Sequence, residues 1–276
     1  EQGEAFAAAF DRAGRRGKLR RRHCVRVSAS SGRPRGAGGH RGASSREGQI
    51  GPRVLSGVLA NGPRRTLRRW IFLTSPDGQR VFAISVCYIG PIEQGERVLQ
   101  PLRRFGPPLS DEIRTLPYTE VQAAGDAFFP TGLRYYWKSH LLKEFPRDAV
   151  EVAVSHFAKV PSPRSLLVFQ QFGGTVGRVG RSETAFWHRD VQWDNFAVSV
   201  WTDPAESETQ AQWVREWWDL MKPFSLGGEY VNNLGEEGED RVRASYGANY
   251  ERLVALKNKY DPSNFFRLNA NIKPTV

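Results

Sequence analysis

WIFLTSPDGQRVFAISVCYIG, residues 70–90, is the stretch from which the fold of this chain is read. Two runs of β-branched and aromatic residues flank Asp77-Gly78, a dipeptide that accepts the left-handed backbone of a tight hairpin turn. The spacing predicts two antiparallel strands. Directly after them, PIEQGERVLQPLRRFG (91–106) puts a proline at a helix start, apolar residues at helical spacing and a glycine at the end. A hairpin followed by a single helix points to an α+β layer.

The same alternation continues downstream. RYYWKSHLL (134–142), SLLVFQQFGG (165–174), DNFAVSVWTD (194–203) and GEYVNNLG (228–235) read as strands. RDAVEVAVSHFAKV (147–160) reads as a helix with Val150, Val154 and Phe157 on its apolar face, and PAESETQAQWVREWWDLMKPF (204–224) as a longer one with Trp213, Trp217 and Leu220 on one stripe. GEDRVRAS and NYERLVALKNKY give two more helices, the last stopped by Asp261-Pro262 and followed by a short aromatic strand. The expected architecture is α+β: an antiparallel sheet with helices packed on one face. Chain ends are usually loose and polar, yet Phe265, Phe266, Asn269 and Asn271 make this one look tied down.

Upstream of Trp70 the texture is different. Residues 1–69 hold 17 of the 40 Lys and Arg residues but only 4 of the 29 Asp and Glu residues, so the net charge of +11 belongs to this quarter. Rich in Arg, Gly and Ser, the segment lacks the apolar area to offset its chain entropy, and disorder or poor packing is expected. Three readings fit its composition: a basic disordered tail, a nucleic-acid arm, or an out-of-frame translation. From Trp70 onward the charge is nearly balanced, which argues against a nucleic-acid binding face on the folded part.

Several function classes are excluded on motif grounds. There is no Walker loop and no dinucleotide-binding glycine fingerprint. No run approaches the length of a membrane span and the N-terminus lacks the pattern of a secretory signal, so a cytoplasmic location is expected. Cys24 and Cys87, far apart in sequence, form neither a disulfide scaffold nor a metal cluster, and a reducing compartment with no metal site is expected.

One ordered set of motifs carries more information. Tyr230-Val231-Asn232, GEEGEDRV, YGANYERL and KNKYDPSNFFRLNANIKP together resemble the C-terminal region of berberine bridge enzyme-like FAD-linked oxidases, flavoproteins of the vanillyl-alcohol oxidase type. TAFWHRD (184–190), RYYWKSH (134–140) and SVCYIG (85–90) extend the resemblance over about Trp70 to Pro274. It implies the substrate domain of a two-domain enzyme (70–227), then a C-terminal segment (228–276) that returns to an FAD domain. That domain, the natural packing partner, is expected to be missing from the N-terminal side, with residues 1–69 as its out-of-frame end. Back-translation motivates the frameshift: Gly17–Pro34, read one nucleotide later with allowed codons, gives GNFGVVTAFEFRLHPVGP. Pro52–Leu67 yields LEFYREFLRTAPDEL, an aromatic amphipathic string.

The chemistry implied by the resemblance is hydride transfer from a CH-OH or CH-NH carbon of a small alcohol, sugar or related molecule to N5 of FAD, with oxygen as acceptor. A base removes the accompanying proton. Sugar-oxidising members carry a Y-x-N-Y segment whose last tyrosine is that base; here the position is Asn233, whose amide takes no proton at neutral pH. Tyr230 and Tyr136 are the catalytic candidates, with His188 as a further candidate base. Asn232, Asn269 and Asn271 are expected at the cofactor, and Gln170, Gln171 and His188 at the substrate. Against these roles stand plainer ones: Asn269 and Asn271 satisfying a turn, Tyr230 buried on the sheet, His188 hydrogen-bonded structurally, the glutamines at an edge. The alternative function is a non-catalytic remnant that binds no FAD.

Overall fold

The computed structural model describes the backbone of residues 23–26 and residues 66–103, 110–235 and 238–276. The expectations for the basic segment and its reading frame fall almost wholly outside the described residues. Those described divide into two compact units, one made of Thr131–Phe145 and Phe169–Val276, the other of the described residues up to Pro130 together with Pro146–Val168.

In the second of these units the hairpin forms as expected. Strands β2 (Thr66–Thr74) and β3 (Arg80–Tyr88) pair antiparallel from Thr66↔Tyr88 to Thr74↔Arg80. Gly78 closes the turn at φ 84°, a backbone that L side chains rarely adopt. Strand β1 (His23–Arg26) pairs antiparallel with β3 and with the short β4 (Leu116–Pro117). Helix α1 (Ile92–Arg103) follows the hairpin and buries Leu99; a Cβ on its Gly95 would lie 2.8 Å from the Tyr88 ring, so this close approach needs glycine. After α2 (Tyr118–Ala123), helix α3 (Arg147–Phe157) buries Ala149, Val150, Ala153, His156 and Phe157. Phe157 packs on Phe72 of β2 with ring centroids 5.8 Å apart. Val154, expected on the apolar face, is 48% exposed. Cys87 on β3 is disulfide-bonded, a bond that the expectation of no disulfide scaffold did not anticipate.

The other unit holds strands β5 (Arg134–Leu142) and β7 (Trp193–Trp201), antiparallel from Arg134↔Trp201 to Leu142↔Trp193. Strand β6 (Leu166–Gln171) enters it at Phe169 and neighbours β7. Helix α4 (Ser207–Met221) packs along β5 and β7, burying Trp213, Val214, Trp217 and Met221. Leu220 is 45% exposed, because the stripe that meets the sheet runs through Met221 instead. The fold is thus α+β, with antiparallel strands and a helix laid on one sheet face.

Past the sheet the chain departs from the strand expectation. GEYVNNLG contains a 3-10 turn at Val231–Asn233, closed by Asn233 N donating to Tyr230 O at 2.7 Å. Helices α5 (Glu239–Tyr246) and α6 (Tyr250–Tyr260) follow. Val242, Tyr250 and Val254 form their common core, against which Leu234, Tyr246, Ala270 and Ile272 pack. The expected strand after Pro262 is an irregular tail. The tail is nevertheless tied down: Asp261 caps it by accepting from Phe265 N and Phe266 N, and Asn258 holds Thr275 N at 2.8 Å. No described helix is long and apolar enough to cross a membrane.

Candidate functional site

Side-chain alternation divides β5 into two faces. Tyr136, Lys138 and His140 face α4: the Arg215 guanidinium lies 5.6 Å from the Tyr136 ring, and His140 stacks on Trp218 at 5.0 Å. His140 Nε2 lies 2.9 Å from the Trp218 main-chain oxygen. A carbonyl only accepts, so Nε2 carries the proton, and burial holds the imidazole down at about 4. Opposite Tyr136 in the ladder, Ser199 donates to Gln210 Oε1 of α4 at 2.5 Å.

Trp137, Ser139 and Leu141 occupy the other face, with Asp194, Phe196 and Val198 of β7 beside them. The 3-10 turn is seated on this face. Trp137 Nε1 donates to Asn233 O at 3.0 Å, and Asn233 Nδ2 donates to Asp194 Oδ2 at 2.7 Å. Burial pushes the Asp194 carboxyl up to about 7, partly opposed by the Asn233 donation. Glu229, fully buried, ion-pairs with Arg241 of α5 and takes a long hydrogen bond from Ser139 Oγ at 3.4 Å.

The same turn presents Tyr230 and Asn232. Asn232 Nδ2 donates to the Tyr230 hydroxyl oxygen at 2.9 Å. The Tyr230 ring meets Phe172 at 5.6 Å and Phe186 at 6.0 Å, both edge-on, a preferred geometry for aromatic quadrupoles. Phe186 also meets His188 at 6.3 Å. His188 Nε2 donates to Ala244 O of α5 at 3.1 Å, and a Cβ on Gly228 would come within 2.3 Å of that nitrogen. Burial lowers the His188 pKa from its ordinary value, partly opposed by its hydrogen bond to Ala244 O. Asn249 pins the same loop by donating to Arg181 O at 2.7 Å and Thr184 O at 3.0 Å.

The structure brings together Tyr230, Asn232 and His188, and seats them beside the end of β6. Gln170 and Gln171 point to opposite faces: Phe169 packs on Trp217 of α4, so Gln170 lies on the face away from that helix and Gln171 on the helix side. Tyr136 is likewise on the helix side. Asn269 is in the left-handed region at φ 61° and is exposed; its main-chain oxygen accepts from Asn271 N at 2.7 Å. Asn271 lies between Ala270 and Ile272, and its side-chain oxygen is buried without a hydrogen-bond partner. Sequence reasoning missed Asp194 and Trp137. The signal available was an acid inside an otherwise apolar strand, DNFAVSVW. Among the described residues no cluster of His, Cys, Asp and Glu could hold a metal.

A helix-backed antiparallel sheet thus carries an aromatic and amide turn on its other face, followed by two C-terminal helices. Solved structures show the fold: 6-hydroxy-D-nicotine oxidase from Arthrobacter nicotinovorans matches 93% of this chain and 56% of its own, TM-score 0.71 at 19% identity. A berberine bridge enzyme-like protein from Arabidopsis thaliana also gives 0.71, over 92% and 57%, at 18% identity. Residues 229–273 match the family model described as berberine and berberine like. An FAD-linked oxidoreductase of Dictyostelium discoideum is 30% identical over 202 residues, 72% of this chain and 43% of the relative. A monolignol oxidoreductase of Arabidopsis thaliana is 31% identical over 149 residues, 47% of this chain and 27% of its own length. The chain carries the berberine and berberine-like segment at 229–273 and is similar to the berberine bridge enzyme-like FAD-linked oxidoreductases, and it spans less than half the length of these two relatives.

Proposed function

We propose that this chain supplies the substrate side of an FAD-dependent oxidase that acts on a CH-OH or CH-NH carbon of a small molecule. One observation carries the reading: Tyr230 is held edge-on between Phe172 and Phe186 while Asn232 donates to its hydroxyl oxygen. That is a hydrogen bond a phenolate would retain, so the phenolic group is arranged to exchange a proton. Bound FAD would supply the hydride acceptor at N5, with oxygen as terminal acceptor. Tyr230 would take the proton from the substrate hydroxyl or amine, and Gln170, on the same sheet face, would orient the polar groups of the substrate. Tyr136, set against Arg215 on the helix side, takes no part in this chemistry.

The residues present fit the cofactor. Asn271 Oδ1, buried and unpartnered, is an acceptor suited to an N–H such as that of the flavin imide. Asn269 serves by conformation, as a residue that tolerates the left-handed backbone in front of Asn271. The exposed Phe265, Phe266 and Leu268 form an apolar stretch of tail that an FAD domain would cover.

A second reading, a substrate domain that binds no flavin, is favoured by Asn233 at the position where the resemblance implies a tyrosine base. The visible spectrum of the purified chain after incubation with FAD and gel filtration separates the two. Retained flavin absorbance is the expected result for the catalytic reading; its complete loss favours the second. The out-of-frame origin proposed for residues 1–69 is tested by sequencing the coding DNA, where an intact frame would refute it.

A further inference from the structure

Asn233 commits both of its polar ends to the sheet: its main-chain oxygen to Trp137 of β5, its side-chain amide to Asp194 of β7. It is the tie between the turn that carries Tyr230 and Asn232 and the two strands beneath. Asp194 is 1% exposed, and its second oxygen, Oδ1, is buried without a hydrogen-bond partner. Leu141 faces it across the ladder and Asn233 from the turn. At this edge of the sheet Glu229 pairs with Arg241 and accepts from Ser139, and among the described residues no ion pair includes Asp194.

We propose that Asp194 is a positioning residue for the Tyr230 site, seating the Tyr230–Asn233 turn on the sheet through Asn233, loosely as a carboxylic acid and tightly as a carboxylate. The proposal rests on the reading of Tyr230 and Asn232 as site residues. Its physical basis is that a hydrogen bond to an ionised acceptor is roughly twice as strong as one to a neutral acceptor. A proton can sit on the unpartnered Oδ1 without displacing Asn233 from Oδ2. Burial brings the change of state to about pH 7, where a modest pH change alters the grip on the turn.

The Trp137 indole N–H, which donates to Asn233, is the reporter. In protein labelled with nitrogen-15 tryptophan, its resonance is assigned with W137F and followed from acid to alkaline pH; no flavin is needed. In the wild-type chain the resonance is expected to follow a single titration near pH 7. D194N, isosteric and still an acceptor for Asn233, is expected to abolish that titration while the other indole resonances keep their positions. N233A is expected to leave the infrared carbonyl band of protonated Asp194 titrating while uncoupling Trp137 from it, and it keeps the test alive if D194N fails to fold. A wild-type Trp137 resonance that does not move, or a Trp137 titration that persists in D194N or N233A, overturns the proposal. Because flavin retention is scored separately, failure here is distinguishable from failure of the functional reading.

Discussion

Two buried ionisable side chains, both in the β5–β7 sheet, are pushed in opposite directions by the same loss of water. Asp194 binds its proton up to about pH 7 in the folded chain, against an ordinary value of 3.8. The native state therefore holds a proton that the unfolded chain releases, and stability falls as pH rises between these values. At about 1.4 kcal/mol per pKa unit the effect is on the order of a few kcal/mol. D194N should remove this decline between about pH 4 and pH 7, as checked by urea midpoints across pH. His140 works the other way: held neutral to about pH 4 instead of 6.5, it costs stability as pH falls through that window. H140Q should flatten the acid limb in the same measurement. Gly228 offers a steric test, since a Cβ there meets His188 Nε2 at 2.3 Å and Ala244 O at 3.2 Å. G228A should cost about 1–3 kcal/mol, read as a lower denaturation midpoint.

At the scale of elements, the hairpin, strands β5 to β7 and helices α1, α3 and α4 are legible because periodicity of two or 3.6 records which side is buried. The errors have local causes. Val154 and Leu220 sit at the margin of an apolar stripe, and only the placement of the strands decides which margin faces water. GEYVNNLG alternates like a strand, but the amide of Asn233 and the indole of Trp137 close it into a turn over the sheet. The tail after Pro262 has strand-like aromatics and no ladder; Asp261 and Asn258 satisfy its backbone instead. Trp217 joins α4 to β6 through Phe169, 1% exposed with ring centroids 5.8 Å apart. W217A should lose about 3–5 kcal/mol, seen in thermal unfolding, whereas L220A on the exposed margin should stay within about 0.5 kcal/mol of wild type.

For the molecule as a whole, the tail aromatics separate stability from assembly. Phe265 and Phe266 are each 77% exposed and meet edge-on at 5.1 Å. F265S/F266S should leave the unfolding midpoint of this chain unchanged within about 0.5 kcal/mol. It should weaken association with a separately supplied FAD domain, measured by co-purification. The sequence by itself determined the α+β class, the register-setting hairpin and the family resemblance, because periodicity, turn residues and ordered motifs are local properties of the chain. Only the tertiary structure decided which candidates share a site. Gln170 and Gln171 part to opposite faces, Tyr136 goes to the helix side, and Asp194 meets Asn233 across 39 residues. Those outcomes depend on which sheet face each side chain takes and on how much water burial removes, and neither is written in the spacing of the residues.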